Sequence, residues 1–285
     1  MIVYLNGQFL PIEEAKISVL DRGFIFGDAV YEVWRLVNGK LFESDKHLGR
    51  LASGLRDVHI TAPAESQKAK LHEISDRLWK ENGMKGEGSL FLEMSRGVAP
   101  RAHQYPKPPV PPTVFLMASP FTPPEELRAK GGAVILIDDI RWKRCNVKTT
   151  QLLPNVMAKQ EAFEHEALDA IFIRDGIVTE TSHANVMAVA NGTLWTHQID
   201  GSVLPGVTRD VVLELAKKLG IPVREEGMTV DAFRKADEVF LVGTLSDVMP
   251  IVKVDGNQVG AGKPGPVSLK LSKALRERLD AAGRA

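Results

Sequence analysis

Apolar residues recur along the chain with two periods, close to two and close to 3.6 residues, and each stretch predicts one kind of element. Residues 2–5, the turn Asn6-Gly7 and Phe9-Leu10 read as an opening β-hairpin. Residues 21–28 hold two glycines and two aspartates and read as a loop. Residues 30–37 alternate as a strand, and Asn38-Gly39 predicts a hairpin turn before Lys40-Leu41-Phe42. Leu48, Leu51, Leu55 and Val58 keep helical spacing, with Asp45 as the expected cap. A second helix is predicted over 67–81, stopped near Asn82-Gly83. Strands follow at 89–95 and 113–118, joined by a proline-rich loop with no core pattern.

Pro120-Phe121-Thr122-Pro123-Pro124 is read as a linker, since prolines cannot continue a sheet or helix interior. The expected organisation is a domain over 1–119, a linker at 120–124 and a second domain over 125–285. The second half opens with an apolar strand at 132–137. A polar segment at 144–150 follows, and then a helix-patterned segment at 153–165, with Val156, Ala158 and Ala162 among polar neighbours. Short antiparallel strands are expected at 170–173, 177–180, 185–190 and 194–196. Leu204-Pro205-Gly206-Val207-Thr208 opens a helix stopped at Gly220, and a shorter helix starts at Asp231. Strands at 238–243 and 251–254 and a closing helix at 269–279 complete an α+β pattern.

Bulk properties narrow the classes of function. The chain has 285 residues, enough for two modest domains. A formal net charge of zero argues against a general nucleic-acid or membrane-surface binder. One cysteine, Cys145, excludes an internal disulfide and a cysteine-only metal site, so a reducing cytoplasm is expected. The N-terminus shows no signal-peptide pattern, and no apolar run is long enough to span a membrane.

Four places carry candidate chemistry. Lys148 lies in a polar segment between two packed elements, where an amine can form a Schiff base with a carbonyl compound; the same pattern fits a solvated lysine beside Arg141, Lys143 and Arg144. Gly206-Val207-Thr208-Arg209 puts a glycine turn before a helix, which suits a phosphate or simply starts a helix. Glu180 ends a strand, where a carboxylate can pair with a protonated heterocycle nitrogen or cap a turn. Arg101 and His103 stand two apart on the stiff loop and could clamp a carboxylate or face solvent. Tyr31, Glu32 and Arg50 are ambiguous alone, and the histidines show no metal-site spacing.

Taken in order, several motifs resemble the fold-type IV pyridoxal-phosphate enzymes, and among them the bacterial D-amino-acid aminotransferases. They are Asp21-Arg22-Gly23, Phe26-Gly27-Asp28, Tyr31-Glu32, Arg101-Ala102-His103-Gln104, Arg144-Cys145 with Lys148, Asn155 with 158–162, Thr179-Glu180 with Asn185-Val186, and Gly206-Val207-Thr208-Arg209. The resemblance spans nearly the whole chain. It implies a two-domain α+β fold, with a smaller α/β N-terminal domain and a larger C-terminal domain of antiparallel strands packed with helices.

The implied cofactor is pyridoxal 5'-phosphate, carried by Lys148 as a Schiff base, with Glu180 at the pyridine nitrogen. Arg50, Val207, Thr208 and Thr244 would hold the phosphate, and Leu204 would lie against the ring. Tyr31, Arg101 and His103 would bind the substrate carboxylate, the Arg101 loop reaching in from the second subunit of a homodimer. The implied reaction is ping-pong transamination between a D-amino acid such as D-alanine or D-glutamate and a 2-oxo acid such as 2-oxoglutarate or pyruvate. A branched-chain L-aminotransferase, an (R)-amine transaminase or an aminodeoxychorismate lyase on the same scaffold is the alternative, and a non-enzymatic dimeric binding protein is a third reading. The chain departs from the pattern at Thr181-Ser182-His183-Ala184 and at Gly243.

Overall fold

A computed structural model describes residues 1–284, which divide into two compact units. The first comprises Met1–Thr122, Val147–Gln151 and residues from 280 on; the second comprises Pro123–Asn146 and Leu152–Leu279. The sequence expectation assigned everything after residue 124 to one domain. The segment carrying Lys148 instead has its contacts in the first unit. Val147 packs in that unit's core, Thr149 bridges Val30, and the Tyr31 N–H donates to the Lys148 carbonyl at 3.0 Å.

In the first unit, β1 (Ile2–Leu5) and β2 (Gln8–Pro11) form the expected hairpin. Residues 21–28 are not simply a loop. Asp21 accepts from the Gly23 N–H, and Gly27, at φ 63°, ends a short helix, α1 (Arg22–Phe26). Strand β3 (Ala29–Val37) turns through Asn38-Gly39 into β4 (Lys40–Leu41). Helices α2 (Ser44–Asp57) and α3 (Lys68–Glu81) precede β5 (Glu87–Ser95) and β6 (Thr113–Pro120). Asp45 does not cap α2: Glu43 stands at the N-cap position, its side chain making no capping hydrogen bond to the helix, and Asp45 lies inside the first turn, paired with Lys68. The strands form an antiparallel sheet in the order β2-β1-β6-β5-β3-β4. Val30, Trp34 and Leu36 of β3 face Leu51 and Leu55 of α2 and Leu71, Ile74 and Leu78 of α3.

In the second unit, the chain enters an unanticipated helix directly after the proline pair, α4 (Glu125–Lys130). Arg128 anchors it to Asp247 at 2.7 Å. Then come β7 (Gly132–Asp138), α5 (Leu153–Glu164), β8 (Asp169–Arg174), β9 (Ile177–Thr181), β10 (Asn185–Ala190) and β11 (Thr193–Thr196). Helix α6 (Val207–Lys218), β12 (Val223–Glu225), α7 (Val230–Phe233), β13 (Glu238–Gly243), β14 (Asp247–Val254), β15 (Asn257–Gln258) and α8 (Pro266–Ala282) complete the chain.

The nine strands form one sheet, antiparallel from β8 through β10, β13 and β14 but with parallel pairings β14–β7, β7–β8 and β11–β12. The sheet is therefore mixed. Ala158 and Ala162 let α5 approach Ala170 and Phe172 closely. Val156 was expected with them, yet it lies with Leu153, Met157 and Phe163 on the exposed side of the helix. No described helix is long and apolar enough to cross a membrane.

Candidate active site

Lys148 sits half-buried in an irregular segment whose backbone is tied to β3. Its Nζ lies 4.0 Å from the centroid of the Tyr31 ring. Strand alternation puts Tyr31 and Glu32 on opposite faces of β3. Glu32 falls on the inward row, where a carboxylate is tolerated only if paired. Arg50 supplies that pair side-on, Nε to Oε2 at 2.9 Å and Nη2 to Oε1 at 2.7 Å. His47 Nδ1 adds a contact to Oε1 at 3.1 Å. His47 and Arg50 stand three apart on α2 and so share a face. Burial alone would raise the Glu32 carboxyl pKa, but the Arg50 charge and the His47 hydrogen bond outweigh it and hold the group well below the usual carboxylate range. Burial pushes the His47 imidazole down, and the Arg50 and Lys148 charges add to that against the pull of Glu32.

In the second unit, Glu180 is the penultimate residue of β9, directly opposite Asn185 of β10, and is buried. Arg141 Nη1 donates to Oε1 at 2.5 Å; the Leu204 N–H and Asn185 Nδ2 donate to Oε2 at 2.9 and 3.2 Å. Arg141 is held in turn by Asp139, with Nε on Oδ1 and Nη2 on Oδ2, each at 2.9 Å. Arg174 also reaches Asp139. Burial raises the Glu180 carboxyl pKa, and the Arg141 contact works against that rise.

Asn185 also donates to the Leu204 carbonyl at 2.9 Å, fixing the approach to α6. Gly206 caps that helix without a side chain, and a Cβ there would fall 2.0 Å from Asn185 Oδ1. Val207 and Thr208 occupy the buried first turn, a helix N-terminus with positive dipole character. Thr244 is half-buried just after β13. A Cβ at the neighbouring Gly243 would meet Ala184 and Ser246 at an ordinary 3.5 Å, so packing does not demand glycine there.

Arg101 and His103 are both exposed and both lie against Phe26, at 5.5 and 5.6 Å from its ring. Their loop is pinned from beneath. Asp28 accepts from Arg22 at 2.8 Å and from Arg96 at 2.7 and 2.9 Å. Arg22 in turn donates to the Ala102 carbonyl at 2.6 Å, and Arg96 lies 3.6 Å over Tyr105. Among the described residues, no hydrogen bond or ring contact joins Arg101 or His103 to Lys148 or Tyr31.

The structure thus gathers Lys148, Tyr31 and Arg50 on one framework, and Glu180, Leu204, Val207 and Thr208 on another. Arg141, Asp139 and His47 are contacts that the sequence did not reveal, and Asn185, marked in the sequence only as part of a motif, proves to bond Glu180. Glu32 had a signal, since an acid on the inward row of a strand requires a cation. His183, where the chain departs from the family pattern, places Nδ1 3.0 Å from the buried Asp169.

Residues 29–254 match the family described as amino-transferase class IV. The chain is 39% identical over 284 residues to a D-alanine aminotransferase of Listeria monocytogenes, covering 99% of this chain and 97% of that one. It is similar to the branched-chain amino acid aminotransferase of Escherichia coli, with a TM-score of 0.89, 25% identity, and 97% of this chain and 93% of that chain covered. The branched-chain aminotransferase of the archaeon Thermoproteus uzoniensis, solved with norvaline, gives a TM-score of 0.86, 27% identity, and 98% and 95% coverage.

Proposed function

Because the chain belongs to the class IV amino-transferase family, we propose that it moves amino groups between D-amino acids, of the D-alanine and D-glutamate type, and 2-oxo acids on pyridoxal 5'-phosphate. The single observation that carries this reading is the amine of Lys148, half-buried and 4.0 Å from the Tyr31 ring.

The residues present fit the cofactor. The Gly206 helix cap carries no side chain, and a Cβ there would fall 2.0 Å from Asn185 Oδ1, so the Val207 and Thr208 N–H groups at this helix start suit a phosphate. Thr244 and Arg50 would be the further phosphate ligands in this reading, and Leu204 would lie against the ring. Glu180 offers a buried carboxylate whose Oε2 already accepts two bonds and whose Oε1 accepts one, from Arg141. Oε1 keeps acceptor capacity for a ring N–H. When bound, the cofactor supplies an aldehyde and an electron-withdrawing ring.

Lys148 contributes the amine that anchors that aldehyde. With the cofactor held, the freed Lys148 amine would be the group that takes the substrate Cα proton as general base and gives it back as general acid. The Glu180 carboxylate would keep a pyridine nitrogen protonated. Arg101 and His103 grip the substrate carboxylate, and the side of the site on which they do so selects the D configuration.

The exposure of Arg101 and His103 supports a loop that completes a partner's site in a homodimer. An uncovered apolar face on α5 also supports a second copy as its occupant: Leu153 is 70% and Phe163 75% exposed, with Val156 and Met157 beside them. Sedimentation should give a dimer.

The test is turnover of D- and L-alanine with 2-oxoglutarate, together with the visible spectrum of the protein with pyridoxal 5'-phosphate. Pyruvate from D-alanine alone, with a visible absorption band, is expected. Equal or greater turnover of L-alanine would overturn the stereochemical assignment, and no band would overturn the cofactor assignment.

A further inference from the structure

Glu32 is a buried acid that the chemistry above leaves without a task. It is 0% exposed and stands on the core-facing row of β3 between Val30 and Trp34. The Val33 N–H of its own strand donates to Oε1 at 2.8 Å, and its other described partners are polar groups of α2. Arg50 meets it through the Nε/Nη2 edge of the guanidinium, at 2.9 and 2.7 Å, and His47 meets it through Nδ1 at 3.1 Å. A two-point contact between planar groups fixes the plane of the arginine as well as its place.

His47 fixes the carboxylate in turn. It is 1% exposed, and its ring lies 5.5 Å from that of Trp34, so it cannot swing away without disturbing the core. A neutral imidazole facing a carboxylate through Nδ1 carries its proton there, so His47 is a donor at that nitrogen. The order of the chain of contacts is therefore Trp34, His47, Glu32, Arg50.

We propose that Glu32 is a positioning residue that orients the Arg50 guanidinium toward the phosphate of pyridoxal 5'-phosphate, with His47 locking the carboxylate in place. This rests on the reading of Arg50 as a phosphate ligand. Two physical effects oppose one another here. As a charge, Glu32 repels a phosphate and weakens its binding. As a clamp, it removes the rotamer freedom of a long side chain before the anion arrives, which strengthens binding. The two-point geometry and the absence of solvent around Glu32 favour the clamp. The sign of one measurement separates the two.

The experiment titrates cofactor-free protein with pyridoxal 5'-phosphate and, separately, with pyridoxal, which lacks the phosphate. Glu32→Gln is expected to weaken pyridoxal 5'-phosphate binding by about tenfold or more, which is about 1.4 kcal/mol. Pyridoxal binding should change by less than about twofold, within the scatter of independent sites. Arg50→Ala should lose at least as much phosphate-dependent affinity, and the double variant no more than Arg50→Ala alone, because Glu32 acts through Arg50.

Tighter binding of pyridoxal 5'-phosphate by Glu32→Gln would show an opposing charge only and would overturn the proposal. Parallel losses for both aldehydes would mean a general structural role and overturn it too. If Glu32→Gln does not fold, Glu32→Asp keeps the charge but shortens the reach. A selective loss of phosphate-dependent affinity in that variant supports the clamp, and unchanged affinity refutes it. Wild-type protein that binds neither aldehyde would defeat the cofactor reading itself. Wild-type binding combined with an unaffected Arg50→Ala would defeat only the role of Arg50, and with it that of Glu32.

Discussion

A guanidinium nitrogen of Arg141 stands 2.5 Å from the Glu180 carboxylate, and both side chains are less than a tenth exposed. The two are 39 positions apart in sequence. Asp139 grips the other edges of the same guanidinium, so Arg141 is held rigidly between two carboxylates. The consequence for Glu180 is electrostatic. Burial favours its neutral acid, and Arg141 favours the carboxylate that a protonated ring nitrogen needs.

Arg141→Gln should therefore raise the Glu180 pKa further and let the carboxyl take up a proton. The acid limb of the pH–rate profile for D-alanine should move to higher pH, and single-turnover proton abstraction should slow by about tenfold or more, one decade per 1.4 kcal/mol. Stability should also fall by about 3–5 kcal/mol, the usual cost of removing one partner of a buried pair. A loss of stability with an unmoved acid limb would reduce Arg141 to a structural role.

Lys148→Ala should abolish transamination while the protein stays folded. Lys148 is half-buried and makes no described ion pair, so truncation leaves no unpaired charge in the core. Mass spectrometry after borohydride treatment should find the cofactor attached to the wild type and not to the variant. Wild-type turnover in the variant would exclude Lys148 as the anchoring amine.

Arg101→Ala should lower kcat/KM for D-alanine and D-glutamate by at least about tenfold, because a charge-assisted hydrogen bond to a carboxylate contributes roughly 1.5–3 kcal/mol. Arg101→Lys keeps the charge but not the fork and should restore only part of that. An (R)-amine has no carboxylate to clamp, so its weak turnover should not fall in parallel. Equal losses on both substrates would show that Arg101 supports its loop instead.

Asp28 governs the order of that loop through Arg22 and Arg96. Burial opposes its ionisation, but the two arginines outweigh burial and lower its pKa. A folded pKa below the unfolded value gives stability that is fully present above the ordinary carboxylate pKa, about 3.9, and is lost as pH falls toward the folded value. Asp28→Asn should cost about 3–5 kcal/mol at neutral pH and flatten that acid dependence of Tm. Hydrogen exchange at residues 101–105 should rise in the variant, and unchanged exchange there would separate Asp28 from the loop.

The sequence by itself determined where most strands and helices run, and it singled out Lys148, Glu180, Arg101 and the glycine turn before Val207. Those are properties of neighbouring residues: a period of two or 3.6, an Asn-Gly turn, a glycine ahead of an apolar helix. It misplaced what depends on distant neighbours. Helix α1 exists because Asp21 and Gly27 close both ends of a stretch that looks like a loop. Val156 faces outward because the small side chains of Ala158 and Ala162 are the ones that fit against Phe172.

Tertiary structure alone decided that Lys148 joins the framework of Tyr31, Glu32 and Arg50, and that Glu180 faces Arg141. The physical reason is that a buried charge is satisfied by whatever group the strand register and loop path bring within about 3 Å, a distance that hydrogen bonds require and that local periodicity does not encode.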